Sequence, residues 1–264
     1  MPSHTASFVI ALSFLTLAAH AGEPKDKDKD KQSRHARFLP VGDSPPFQQE
    51  IRGGVRYEID PPADSVPPRE VVPGFGKEIT GAVQLHLGRI SPPVKVPAGE
   101  GPLELRRKGD AADTAPWLSL KRPESGDFLV YLFRNPAKKN WKDALSLTVP
   151  DGPEGAPVGS LRIVNLCPFT VRVQWSGELI NLPAGKNLLK SATEGKETSF
   201  QILAADAGGS LKRYYSGAVT QNPGERGLVT IYHADGVSPR RPVKVSMLRE
   251  PVPVEEKEKK EKKE

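Results

Sequence analysis

The chain has 264 residues, a formal net charge of +6, 27 Pro, 24 Gly and one Cys. A single Cys excludes an intramolecular disulfide, so the folded part must be held by an apolar core or by a partner. Pro at about twice its usual share disfavours long helices and favours short strands and loops.

Phe8 to Ala19 reads FVIALSFLTLAA, and Ala19-His20-Ala21 puts small residues where a signal peptidase needs them. This is the pattern of a secretory signal over residues 1–21, cleaved after Ala21, and it predicts a secreted or periplasmic protein. Its n-region carries no Lys or Arg. The apolar run spans about 18 Å as a helix, too short for a bilayer core of about 30 Å. No later stretch approaches that hydrophobicity, so the mature chain is expected to have no transmembrane segment.

Residues 22–75 read as a disordered linker rich in Lys, Asp and Pro. Glu23–Lys31 alternates charge, and Pro45-Pro46, Pro61-Pro62 and Pro67-Pro68 follow with few apolar clusters. Such a segment buries too little apolar surface to offset its ordering entropy. Val55–Ile59 is the exception, an alternating run that reads as an edge strand. Residues 251–264 form a charged, solvated tail. Both charged ends are neutral in sum, so the +6 excess lies between them. For an exported chain this favours an envelope polymer, acidic glycan or membrane surface as partner, and excludes nucleic acid.

From Lys77 to Glu250 the pattern is β. Strands are predicted at 82–87, 103–107, 117–120, 128–133, 144–149, 160–166, 170–175, 197–204, 212–219, 228–232 and 243–248. Most alternate, with Gly, Pro, Asn and Asp in the turns. Phe128–Phe133 (FLVYLF) is continuously apolar, as a strand buried on both faces would be. Val96-Pro97-Ala98-Gly99 is echoed by Leu182-Pro183-Ala184-Gly185, and each is later followed by a buried strand, a loop and another strand. These features predict an all-β, immunoglobulin-like β-sandwich. Its organisation is read as two tandem small modules, 77–152 and 157–250, joined at Gly155-Ala156-Pro157; a single larger sandwich is the alternative.

Residues 160–185, SLRIVNLCPFTVRVQWSGELINLPAG, carry Asn165 to Pro168 at a strand end, a Val171-x-Val173 strand, and a Leu182 to Gly185 step after a hairpin. This stretch resembles an uncharacterised family of bacterial secreted β-sandwich domains, of the type found in verrucomicrobial and planctomycete-like bacteria. The resemblance implies an immunoglobulin-like sandwich for the second module and assigns no functional residues.

Chemistry-bearing motifs are sparse. Asp26-x-Asp28-x-Asp30 opens like a calcium loop but lacks the Gly and the distal Glu, and its lysines repel a cation. His35, His86 and His233 are scattered, so no metal or cofactor is expected. Cys167 sits between Leu166 and Pro168 and reads as a small apolar filler. Asp127, Glu178 and Asp206 fall in predicted turns. The remaining candidate is an aromatic–basic patch of Trp175, Tyr214, Tyr215 and Arg172, with Lys212 and Arg213, of the sort that stacks on sugars or meets an anionic polymer. The reading is an exported, non-enzymatic interaction module whose envelope or extracellular partner is a protein or glycan. A carbohydrate-binding module is the alternative, and an unrecognised hydrolase the third.

Overall fold

The computed structural model describes residues 34–252, apart from 46, 77, 98, 100, 112, 192–194, 207, 223 and 236–238. The signal segment, the Lys–Asp run and the tail beyond Val252 lie outside the described residues. In the first half the strands are β1 (Arg34–Val41), β2 (Gln49–Arg52), β3 (Val55–Glu58), β4 (Glu70–Phe75), β5 (Glu78–Ile79) and β6 (Val83–Gln84). They continue with β7 (Val94–Val96), β8 (Leu103–Arg107), β9 (Leu118–Leu120), β10 (Phe128–Phe133) and β11 (Leu145–Pro150). The second half supplies β12 (Ser160–Asn165), β13 (Val171–Trp175), β14 (Glu178–Leu182) and β15 (Asn187–Ser191). It ends with β16 (Glu197–Ala205), β17 (Leu211–Thr220), β18 (Glu225–His233) and β19 (Val243–Pro251). No helix occurs among the described residues, and none is long and apolar enough to cross a membrane.

The first half makes a sheet of order β11-β10-β1-β7 and a second of order β5-β4-β8-β9, with β6 also on β4. The second half makes β15-β12-β18-β19 and β14-β13-β16-β17. Within each half the opening strand pairs parallel to a late one, β1 with β10 and β12 with β18. Antiparallel neighbours flank each parallel pair.

Alternation along the strands decides how the layers stack. Phe38 on β1 and Phe128, Val130 and Leu132 on β10 face Leu103 and Leu105 of β8 in one core. Ile163, Val173, Phe200, Val229 and Ile231 form a second core in the other half. The opposite faces of the same inner strands form a third: Leu39, Val41, Leu129 and Tyr131 pack with Val164, Leu166 and Leu228. The two inner sheets therefore lie back to back, each covered on both faces. This explains the unbroken burial of β12 and the near-complete burial of β10. The described residues form one compact unit.

The third core also holds buried charge. Arg37 on β1 donates to Asp151 at 2.7 Å and to both Glu250 oxygens at 2.5 and 3.0 Å. Arg226 on β18 lies 3.4 Å from Asp151 Oδ1 and donates to the Asp151 carbonyl at 2.8 Å. Arg162 Nη2 donates to the carbonyls of Pro150 and Gly155. The join between the halves is thereby packed rather than loose, and Ala156 within it is buried.

The expectation of a disordered linker over 22–75 fails from residue 34 onward. β1 is a central strand and β4 a main strand of the outer sheet, so the first half does not begin at 77. The cations of β1 disguised it, because each finds a distant partner. Arg34 spends its guanidinium on the carbonyls of Pro97, Gly99, Pro123 and Glu124. The His35 amide donates to Asp127 at 2.6 Å. Val55–Glu58 docks on no main sheet; it pairs with β2 alone, in a two-stranded ribbon. Gly53 and Gly54 at its tip have φ of 58° and 80°, as a two-residue hairpin turn with positive φ at both positions requires.

Candidate functional site

The predicted aromatic–basic patch does not assemble. Trp175 points into the second core beside Phe200 and is 6 % exposed, whereas Arg172, three residues earlier on β13, faces solvent. In a regular strand successive side chains alternate, so only one of Tyr214 and Tyr215 would face inward. A bulge opposite Ile202 and Leu203 lets both pack against the core. Tyr215 stacks on Phe200 at 5.0 Å, and its hydroxyl reaches Met247 Sδ at 3.4 Å. Arg213 is exposed.

The turn carboxylates each have a structural partner. Asp127 tethers His35, Glu178 pairs with Lys190 at 2.8 Å, and Asp206 accepts from Gly208, Ser210 and Lys212. Cys167 is buried, and burial pushes its thiol up to about 12. Among the described residues no three His, Cys, Asp or Glu side chains gather as metal ligands would.

One end of the molecule does concentrate charge. Here β1, β10 and β18 finish, at Val41, Phe133 and His233, and Asp235, just after β18, meets Asp43 after β1 and Arg134 after β10. Asp43 and Asp235 latch the halves together. The Asp43 amide donates to Asp235 Oδ2 at 2.8 Å, and the Asp235 amide donates to Asp43 Oδ2 at 3.1 Å. Tyr232 donates to Asp43 Oδ1 at 3.2 Å, and Lys244 pairs with the same oxygen at 2.8 Å. A Cβ at Gly42 would sit 2.7 Å from Asp235 Oδ2 and 3.2 Å from Trp141, so only glycine fits the latch. Burial raises the Asp235 carboxyl above its ordinary range despite the Asp43 amide, and burial beside Asp43 raises the Tyr232 phenol.

Three neighbouring clefts at this end share lining residues. One of about 720 Å³ is lined by Asp43, Pro239, Arg240, Arg241 and Lys244. A second of about 180 Å³ shares Pro239 and adds Arg134, Lys139 and His233. A third of about 530 Å³ shares Arg240 and adds Phe169, Lys212 and Tyr214. Six cations thus meet three carboxylates, Asp43, Asp206 and Asp235. Two of these acids are already paired with Lys, and the third is held by a backbone amide. Arg240 and Arg241 are exposed and make no ion pair among the described residues. Phe169, set edge-on to His233 at 6.2 Å, and Tyr214 border the groove. Guanidinium groups grip carboxylate, sulfate or phosphate through paired N–H donors, and the aromatic rims offer a surface to a sugar ring.

Of the predicted aromatic–basic patch, Tyr214 and Lys212 line these clefts, and so do Asp206 and His233 among the other residues singled out from sequence. The signal that was missed is Pro239-Arg240-Arg241-Pro242, a double Arg held between prolines in one loop. No protein-family model and no curated protein sequence matches the chain.

Proposed function

We propose that the protein is an exported, non-enzymatic β-sandwich that acts as an interaction module in the envelope or outside the cell, and that it holds an acidic glycan across its basic loop end. Export rests on the FVIALSFLTLAA run and the small residues at Ala19 and Ala21. The immunoglobulin-like reading is supported by paired four-stranded sheets over one core in the second half. The observation that carries the binding reading is the exposed Arg240–Arg241 pair, without a carboxylate partner among the described residues, on a groove bordered by Tyr214 and Phe169. This joins the two leading functional expectations, since an acidic glycan is both a glycan and an anionic envelope or extracellular partner.

The test is calorimetric binding to polygalacturonate and to a sulfated glycan over a series of salt concentrations. The full chain should bind, more weakly as salt screens the contacts. The Arg240→Ser/Arg241→Ser double variant should lose about tenfold or more in affinity, as loss of two charge-assisted contacts implies. Absence of binding at low salt, or a double variant that binds as the parent does, defeats the proposal.

A further inference from the structure

The ribbon of β2 and β3 stands apart from the three cores: no side chain between Phe47 and Ile59 belongs to any of them. It nevertheless carries Phe47, Ile51, Val55, Tyr57 and Ile59, at 64, 67, 55, 48 and 40 % exposure. A lone two-stranded ribbon is marginally stable in water, and an uncovered edge is a template for pairing. Both of its edges are open among the described residues.

We propose that this ribbon joins two copies of the chain, edge to edge through β3, about a two-fold axis at Tyr57. The hydrogen-bond phase allows it. Arg52 and Val55 flank the two-residue turn, Glu50 lies opposite Tyr57, and the Ile59 amide donates to Gln48 at 3.0 Å. Val55, Tyr57 and Ile59 therefore turn their main-chain groups toward β2, and Arg56 and Glu58 turn theirs outward. Those outward groups are the ones a second β3 needs.

The sequence supplies the complementarity. Val55-Arg56-Tyr57-Glu58-Ile59 reads apolar, cation, ring, anion, apolar, and so complements its own reverse. Antiparallel pairing about Tyr57 sets Arg56 opposite Glu58 of the second copy, and the two exchange both main-chain bonds. It sets Val55 opposite Ile59 of the second copy and the two Tyr57 rings side by side. Directly opposed residues share a face, so both ion pairs fall on one face and the apolar row on the other. The same operation serves β2 less well: centred on Glu50 it opposes like charges, and centred on Ile51 it sets Glu50 opposite Arg52, which already hold each other at 2.7 Å within one chain and abut the Gly53-Gly54 turn that ends the ladder. Centring on Arg56 or Glu58 also opposes like charges. The occupant of the β3 edge is thus a second copy, in an isologous pair.

Sedimentation equilibrium on the full chain over the micromolar range tests this, with unfolding midpoints as a check that the exposed substitutions leave the fold intact. The parent should dimerise. Arg56→Glu and Glu58→Arg should each weaken the dimer by about tenfold or more, because the axis repeats each charge clash. An equimolar mixture of the two variants should restore it, since each then meets its opposite charge. A parent that stays monomeric, a dimer indifferent to Arg56→Glu, or a mixture that fails to reassociate overturns the proposal.

Discussion

Phe38 decides whether β1 belongs to the core or merely lies on it. The side chain is fully buried, and its strand pairs with β7 on one side and β10 on the other. The Phe38 amide donates to Ser91 Oγ at 3.0 Å, and its carbonyl accepts from the Ser91 amide at 2.8 Å. Phe38→Ala removes a ring from a site that fixed backbone prevents from collapsing, so the cost is transfer plus cavity, about 3–5 kcal/mol. That is a large share of a typical net stability of about 5–15 kcal/mol. With a urea slope of about 2–3 kcal/mol/M, the midpoint should fall by about 1–2.5 M. Phe47→Ala, at 64 % exposure on the ribbon, should stay within about 0.5 kcal/mol of the parent. Urea titration followed by tryptophan fluorescence measures both. If Phe38→Ala costs no more than Phe47→Ala, β1 is an appended strand and the layered core described above is wrong.

The remaining predictions concern titration and reactivity. Asp235 has its carboxyl raised above the ordinary value of 3.8, chiefly by burial. A raised acid holds its proton in the folded state, so its stabilising contribution is complete below 3.8 and is lost as pH rises through the folded value. Melting temperatures across acid to neutral pH should therefore show Asp235→Asn gaining on the parent as pH rises; a constant difference at all pH values speaks against the burial assigned to it. Cys167, with its thiol pushed up to about 12, should resist an aromatic disulfide reagent at pH 8 until urea unfolds the chain. Immediate stoichiometric labelling of the native protein would contradict its burial.

What the sequence showed and what it hid follow from how far apart partners lie. FLVYLF was legible because both its faces meet apolar neighbours: Phe128, Val130 and Leu132 enter one core, Leu129 and Tyr131 another. RHARFLPV was not, because its buried Arg34 and half-buried Arg37 looked like solvent-facing charges. Their acceptors, at Pro97, Pro123, Asp151 and Glu250, sit far along the chain. The aromatic–basic patch failed for a local reason: Trp175 and Arg172 are an odd number of residues apart on one strand and must face opposite ways. The bulge that turns both Tyr214 and Tyr215 inward leaves no mark in the sequence. Arg240 and Arg241 were not legible as a site because they meet Asp43, distant along the chain, only in the folded cleft.

The recurrence of strand order is deeper than the echo that first suggested it. Val96-Pro97-Ala98-Gly99 follows β7, whereas Leu182-Pro183-Ala184-Gly185 precedes β15, yet β7 and β15 hold the same place beside the opening strand of their sheets. The matching segments are instead β1 with β12, β10 with β18 and β11 with β19, which share position and direction while differing in sequence. Each half has a core of its own, but neither closes its inner sheet. Separated, the first would expose Leu39, Val41, Leu129 and Tyr131, and would leave Arg37 without Glu250. The second would expose Val164, Leu166 and Leu228, and would leave Arg226 without Asp151. The shared layer, apolar along its length and charged at its edge, makes two similar halves one folding unit.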